Sequence, residues 1–152
     1  MTQEGIVLAS RSDWSVLRPL LFESIGQTLE MVLITLVVGG FLGLVLGVVL
    51  YGTRPGNLFE NAVLYRILDV IVNIIRPIPF IIFLAAMQPL TIKVVGTSIG
   101  TVAAIFPMII MCTVATSRLV EQNLVPVDPG VIEAARSMGA SKPTIVRTVL
   151  IP

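Results

Sequence analysis

Residues 29–51 read LEMVLITLVVGGFLGLVLGVVLY, an apolar run whose single charge, Glu30, stands at its edge. As a helix rising about 1.5 Å per residue it is about 34 Å long, enough to cross the roughly 30 Å hydrocarbon core of a bilayer. Tyr51 suits the interface at its end, and Gly52-Thr53-Arg54-Pro55-Gly56-Asn57 follows as a polar, breaker-rich turn. With 55% hydrophobic and only 12% charged residues among 152, the chain is too apolar for a water-exposed surface and needs lipid as solvent. It is read as an all-α integral membrane protein.

Two further apolar stretches follow. Ile67–Met87 is interrupted by Asp69, Asn73, Arg76, Pro77 and Pro79. The two prolines remove backbone donors and predict a kink or local unwinding, which lipid tolerates only where protein or water satisfies the freed carbonyls. Gln88–Lys93 reads as a short polar connection, and Val94–Thr116, without a charge, as a third span with Pro107 near its middle. Three spans, at about 29–51, 67–87 and 94–116, put the termini on opposite sides. Arg54, Arg66, Arg118, Arg136, Lys142 and Arg147 fall on one side, against Arg11, Arg18 and Lys93 on the other. The excess of basic residues predicts the N-terminus outside and the C-terminus in the cytoplasm.

Ahead of the first span, in the N-terminal segment 1–28, Trp14, Leu17, Leu20, Leu21 and Ile25 form one helical stripe with Arg18, Glu23 and Gln27 between them. The pattern, from Asp13 to about Glu30, predicts an amphipathic helix lying along the membrane surface; a soluble amphipathic helix has the same signature. The segment Met1–Ser10 lacks the basic run of a cleavable signal peptide. The chain stops within the apolar run Thr148-Val149-Leu150-Ile151-Pro152, and the expectation is that the natural protein continues into at least one further span.

Composition narrows the function classes. A formal net charge of +1 gives no electrostatic case for nucleic acid. The absence of histidine removes the usual general base and histidine metal sites, and the Ser, Asp and Lys residues show no spacing that would support intramembrane catalysis, so no catalytic, metal or cofactor site is predicted. The single Cys112, among apolar neighbours, reads as a buried inert thiol.

Three groups of residues stand out instead. Gly39, Gly43 and Gly47 recur every fourth residue on one face of the first span, either a seam for close helix packing or the ordinary glycine content of membrane helices. Asp69, Asn73 and Arg76 share a face of the second span; they line a translocation pathway, or Asp69 sits at the interface and pairs with Arg76. In the segment 117–148, Asp128 and Pro129 supply an N-cap and first-turn proline, and Gly139 a left-handed stop. A short helix therefore runs from about Pro129 to Met138 outside the membrane, with a second start capped by Ser141 and carrying Lys142 and Pro143 in its first turn.

Glu133-Ala134-Ala135, three residues, Gly139, nine residues and then Val149-Leu150-Ile151-Pro152 resembles the E-A-A-x-x-x-G-x9-I-x-L-P motif of bacterial ABC-importer permeases, with Val149 and Ile151 as conservative departures. Thr53-Arg54-Pro55-Gly56, Leu68-Asp69-Val70-Ile71-Val72-Asn73 and Arg76-Pro77-Ile78-Pro79-Phe80-Ile81-Ile82 are similar to the methionine-importer branch. The resemblance implies that 29–152 is part of a type I permease core in the bacterial inner membrane, taking up methionine. It implies that Glu133, Ala134, Ala135 and Gly139 form a cytoplasmic coupling helix docking on an ATPase. It further implies a permease homodimer with two ATP-binding subunits and an extracytoplasmic methionine-binding protein. Gly139-Ala140-Ser141-Lys142 lacks the spacing and second glycine of a phosphate loop, so ATP hydrolysis is expected on the separate subunit. A permease for another amino acid or small organic anion would share these features, and a non-transporting membrane scaffold is the reading outside transport.

Overall fold

The structure, a computed structural model, describes residues 14–150. The stretch Met1–Asp13 and the motif's closing Ile151 and Pro152 lie outside the described residues. All regular elements among the described residues are helical: α1 (Trp14–Ile34), a π turn (Thr35–Gly39), α2 (Gly40–Thr53), α3 (Ala62–Ile75), α4 (Phe80–Val95), α5 (Thr101–Leu124), α6 (Pro129–Ser137), α7 (Lys142–Ile145) and a second π turn (Val146–Leu150).

The surface helix and first span expected as separate pieces are one element. Leu17–Thr53 is a continuous apolar helix of 37 residues, with no boundary near Leu29. Nothing in the sequence there breaks it, and i,i−4 bonds from Thr28 Oγ1 to the Ser24 carbonyl (2.7 Å) and from Gln27 Nε2 to Glu23 (3.3 Å) carry the polar side chains along the axis. Thirty-seven residues exceed the ~20 that a bilayer core requires, so the polar positions Arg18, Glu23 and Gln27 sit on an N-terminal extension of the span.

The second span is broken more severely than a kink. Helices α3 and α4 meet at 114° across Arg76–Pro79. Pro79 opens α4, its carbonyl accepting from Ile82 and Phe83 N–H at 2.9 and 3.1 Å, so the turn satisfies part of the backbone that the prolines disrupt. The expected polar connection Gln88–Lys93 is helical, with Pro89 inside α4. The chain turns instead at Gly96 and Gly100, whose φ angles of 87° and 101° only glycine adopts freely. The third span accordingly shifts from 94–116 to Thr101–Leu124, so that Ser117–Leu124, expected in the cytoplasmic segment, continues the membrane helix.

Helices α2 and α5 run parallel, and the glycines show it. An added Cβ on Gly39 would lie 2.8 Å from Cys112 Cβ, on Gly43 2.5 Å from Thr116 Cβ, and on Gly47 2.6 Å from the Ser117 carbonyl and Val120 Cβ. The partners Cys112, Thr116 and Val120 advance in step with the glycines, as two parallel helices in contact require. Thr113 Oγ1 donates to the Ile109 carbonyl of its own helix at 2.8 Å and also lies 3.3 Å from the Gly39 carbonyl of the π turn, a weaker polar contact across the seam. Cys112 is half-buried in this seam, its Sγ 3.9 Å from Thr116 Oγ1.

Since α2 and α5 both finish at the same end, the foot of the bundle, the bent α3–α4 pair between them returns the chain to the opposite end. It therefore acts as one broken crossing. At the foot, Tyr51, Leu58, Leu124, Ile132, Ala135, Ile145 and Leu150 form one buried cluster, and a second cluster of Leu50, Val72 and Val114 joins α2, α3 and α5 higher up.

Candidate coupling site and polar cluster

Helix α6, the candidate coupling helix, is capped at both ends by the residues that predict it. Asp128 Oδ1 accepts from Gly130 N–H at 2.8 Å. At the other end Ala140 N–H bonds the Ala135 carbonyl (3.0 Å) and Gly139 N–H the Arg136 carbonyl (2.9 Å), the paired closure that a left-handed residue permits, with Gly139 at φ 82°. Ser141 precedes α7, but its hydroxyl meets Thr144 Oγ1 at 2.7 Å rather than a backbone donor.

Two faces divide the labour of α6. Ile132 and Ala135 are buried against Tyr51, Leu58, Leu124 and Ile145 and fix the helix to the foot, while Glu133, Ala134 and Arg136 are exposed. The alanine pair is thus split: Ala135 allows close approach to the chain's own bundle, and Ala134 faces away from it. The loop after α2 shares this anchorage. Asn57 Nδ2 donates to the Tyr51 carbonyl (2.6 Å), and Lys142 Nζ lies 5.4 Å from the centre of the Phe59 ring. A cleft of about 200 Å³ lies between loop and helix, lined by Tyr51, Asn57, Leu58, Ile132, Glu133 and Arg136.

The polar stripe of α3 is met from another helix. Arg118 of α5 reaches Asp69 Oδ1 at 2.9 Å and Asn73 Oδ1 at 3.3 Å, and also bonds Glu121 one turn along its own helix. Glu121 is only 3% exposed. It also accepts from the Tyr65 hydroxyl (3.4 Å) and lies 4.0 Å from Arg54, whose guanidinium stands 5.9 Å from the centre of the Tyr65 ring. The pairing of Asp69 with Arg76 does not form; Arg76 is exposed and makes no ion pair among the described residues.

Sequence reading missed the pair: Arg118 entered only as a basic residue beyond a span, and Glu121 not at all. Their i,i+3 spacing, with no glycine or proline between Pro107 and Pro126, was the available signal that the helix continued through them. Between them these two residues make the polar contacts of α5 with α3, Arg118 to Asp69 and Asn73 and Glu121 to Tyr65.

A multi-helix apolar bundle ending in a helix capped at both ends, fixed by one face and exposed on the other, is the architecture of a membrane transport subunit. Residues 39–152 match the binding-protein-dependent transport system inner membrane components, and the chain belongs to that family. It is 47% identical over 133 residues to the D-methionine transport system permease protein MetI of Escherichia coli (strain K12), covering 88% of this chain and 61% of that protein. To the methionine import system permease protein MetP of Bacillus subtilis (strain 168) it is 43% identical over 103 residues, 68% of this chain and 46% of the other. Among solved structures, an inward-facing MetNI methionine ABC transporter superposes with a TM-score of 0.78 at 43% identity, over 100% of this chain and 65% of the matched one. The chain therefore spans about three fifths of the length of the Escherichia coli MetI permease.

Proposed function

We propose that this chain is the permease subunit of an ATP-driven importer that takes up methionine across the bacterial inner membrane. The observation that carries the proposal is the coupling helix: Pro129–Ser137 is anchored at the bundle foot by Ile132 and Ala135 and presents Glu133 and Ala134 outward. Identity to D-methionine and methionine permeases over most of the chain supports the substrate. The partners are two ATP-binding subunits, which hydrolyse ATP, a second copy of the permease and an extracytoplasmic methionine-binding protein. The clustering of Arg54, Arg136 and Lys142 at the foot supports a cytoplasmic foot and an N-terminus outside.

Closure of the ATP-binding subunits draws the two coupling helices together and favours the outward-open permease; hydrolysis and release reverse the bias. The exposed side chains of Asn73 and Arg76 belong to the face along which solute passes, since ionisable groups within membrane helices are placed toward aqueous paths. Glu133→Lys reverses the charge of the docking face without touching the buried one. It is expected to abolish co-purification with the ATP-binding subunit and to lower labelled-methionine uptake at least about tenfold, a loss of roughly 1.4 kcal/mol or more, while membrane insertion is unchanged. Uptake at the wild-type rate overturns the docking assignment.

A further inference from the structure

The polar cluster lies between the foot that carries the coupling helix and the break in the second span. Leu124, one turn beyond Glu121 on α5, shares the buried cluster of Ile132 and Ala135, so a displacement of α6 bears directly on the end of α5. One turn to the other side of Glu121, Arg118 crosses to Asp69 and Asn73 on α3. Asn73 stands just ahead of Ile75, where α3 ends and the 114° break begins. The opposite face of α3 is unsupported within the chain: Val63, Ile67, Val70, Ile71 and Ile74 are all exposed. The helix is therefore held on one side, by the Leu50–Val72–Val114 contact and by the Arg118 guanidinium.

We propose that Arg118 is a positioning residue for transport, tying the foot of α5 to α3 so that a movement of the coupling helix also moves the break at Arg76–Pro79. The inference rests on the reading of the chain as an ATP-driven permease. Arginine suits the task because its planar fork addresses two acceptors on α3 while remaining charged, whereas an ammonium is a single point charge. Nη1 also donates to Glu121, which shares that nitrogen with Asp69 while Nη2 reaches Asn73, and Tyr65 and Arg54 keep the Glu121 carboxylate in place. The glycine seam gives α5 a rigid attachment to α2; the guanidinium gives it a link to the half of the bundle that bends.

The test uses the full gene product assembled with its ATP-binding subunit and binding protein in liposomes, with ATP hydrolysis and labelled-methionine entry measured on the same sample. Arg118→Met is expected to keep assembly and hydrolysis within about twofold of wild type while solute carried per ATP falls tenfold or more. Arg118→Lys should restore part of that ratio. Asp69→Asn, nearly isosteric and on a partly exposed residue, should lower the ratio severalfold alone and add less than twofold to Arg118→Met. An unchanged ratio in Arg118→Met, or a parallel loss of hydrolysis and transport, overturns the proposal. If Arg118→Met fails to assemble, Asp69→Asn decides, and an unchanged ratio there overturns it equally. Should wild type carry a different solute, the substrate reading fails and the ratio is taken with that solute; if it carries none, both readings fall.

Discussion

Along the π turn and α2, helix α5 meets three glycines and no charge; along α3 it meets a carboxylate and an amide through one arginine. The first contact is made of backbone surfaces and has no room to change. Lipid tails are as apolar as the side chains they replace, so such a seam is held chiefly by close packing. The second contact is made by a long side chain to partners on the surface of another helix, and it can shift by rotamer. The same helix is thus fixed on one side and adjustable on the other. The adjustable side faces the broken span.

The largest effect should come from filling the seam. A Cβ on Gly47 meets the Ser117 carbonyl at 2.6 Å, a backbone atom that cannot turn aside, so Gly47→Val is expected to destabilise by about 3 kcal/mol or more, the upper part of the range for overpacking. Thermal unfolding of the full protein in detergent measures it, with Gly40→Ala as the matched control because nothing lies within 4 Å of that position. Equal stabilities for the two variants would show that the seam opens freely, and the contrast between the two sides of α5 would collapse.

How much of this contrast the sequence carries depends on what spacing can express. Repeats of four place Gly39, Gly43 and Gly47 on one face, and Asp69 and Asn73 likewise, because a helix fixes its own neighbours. Spacing says nothing about which helix arrives opposite. Arg76, on the same stripe, is the one pairing for Asp69 that spacing offers, beside the reading of the stripe as a pathway, whereas the arginine that pairs is Arg118, on α5. The span boundaries failed for a related reason. Counting polar side chains put the second turn at Gln88–Lys93, but helices tolerate Gln, Thr and Lys; what ends α4 is the positive φ of Gly96, which hydropathy does not register. Helix α6 was legible to within a residue because Asp128, Pro129 and Gly139 are local signals acting on the backbone beside them. That α6 buries Ile132 and Ala135 against the loop after α2 was not, being a matter of tertiary packing.

A smaller effect tests the polar side without removing a charge. Tyr65→Phe deletes the hydroxyl that donates to Glu121 at 3.4 Å and leaves the ring beside Arg54. Glu121 keeps Arg118 as a partner and the bond is long, so the expected cost is about 0.5–1.5 kcal/mol, the range of one net hydrogen bond. A loss approaching that of Gly47→Val would mean that the cluster is as rigid as the seam.

Arg76→Leu should move stability least of all. The side chain is exposed and outside the ion cluster, so unfolding of the full protein in detergent is expected to change by no more than about 0.5 kcal/mol. If Arg76 had been the partner of Asp69, its loss would strand a carboxylate and the change would be several times larger, so the stability measurement separates the two pairings by itself. Methionine uptake supplies the other half. Arg76 stands at the break, on the same stripe as Asn73; on the proposal that this stripe lines the solute path, its replacement should lower the uptake rate while the complex still assembles and hydrolyses ATP. Unchanged stability with unchanged uptake would remove Arg76 from the path and leave the α3 stripe a purely structural face, held by Arg118 and used for nothing else.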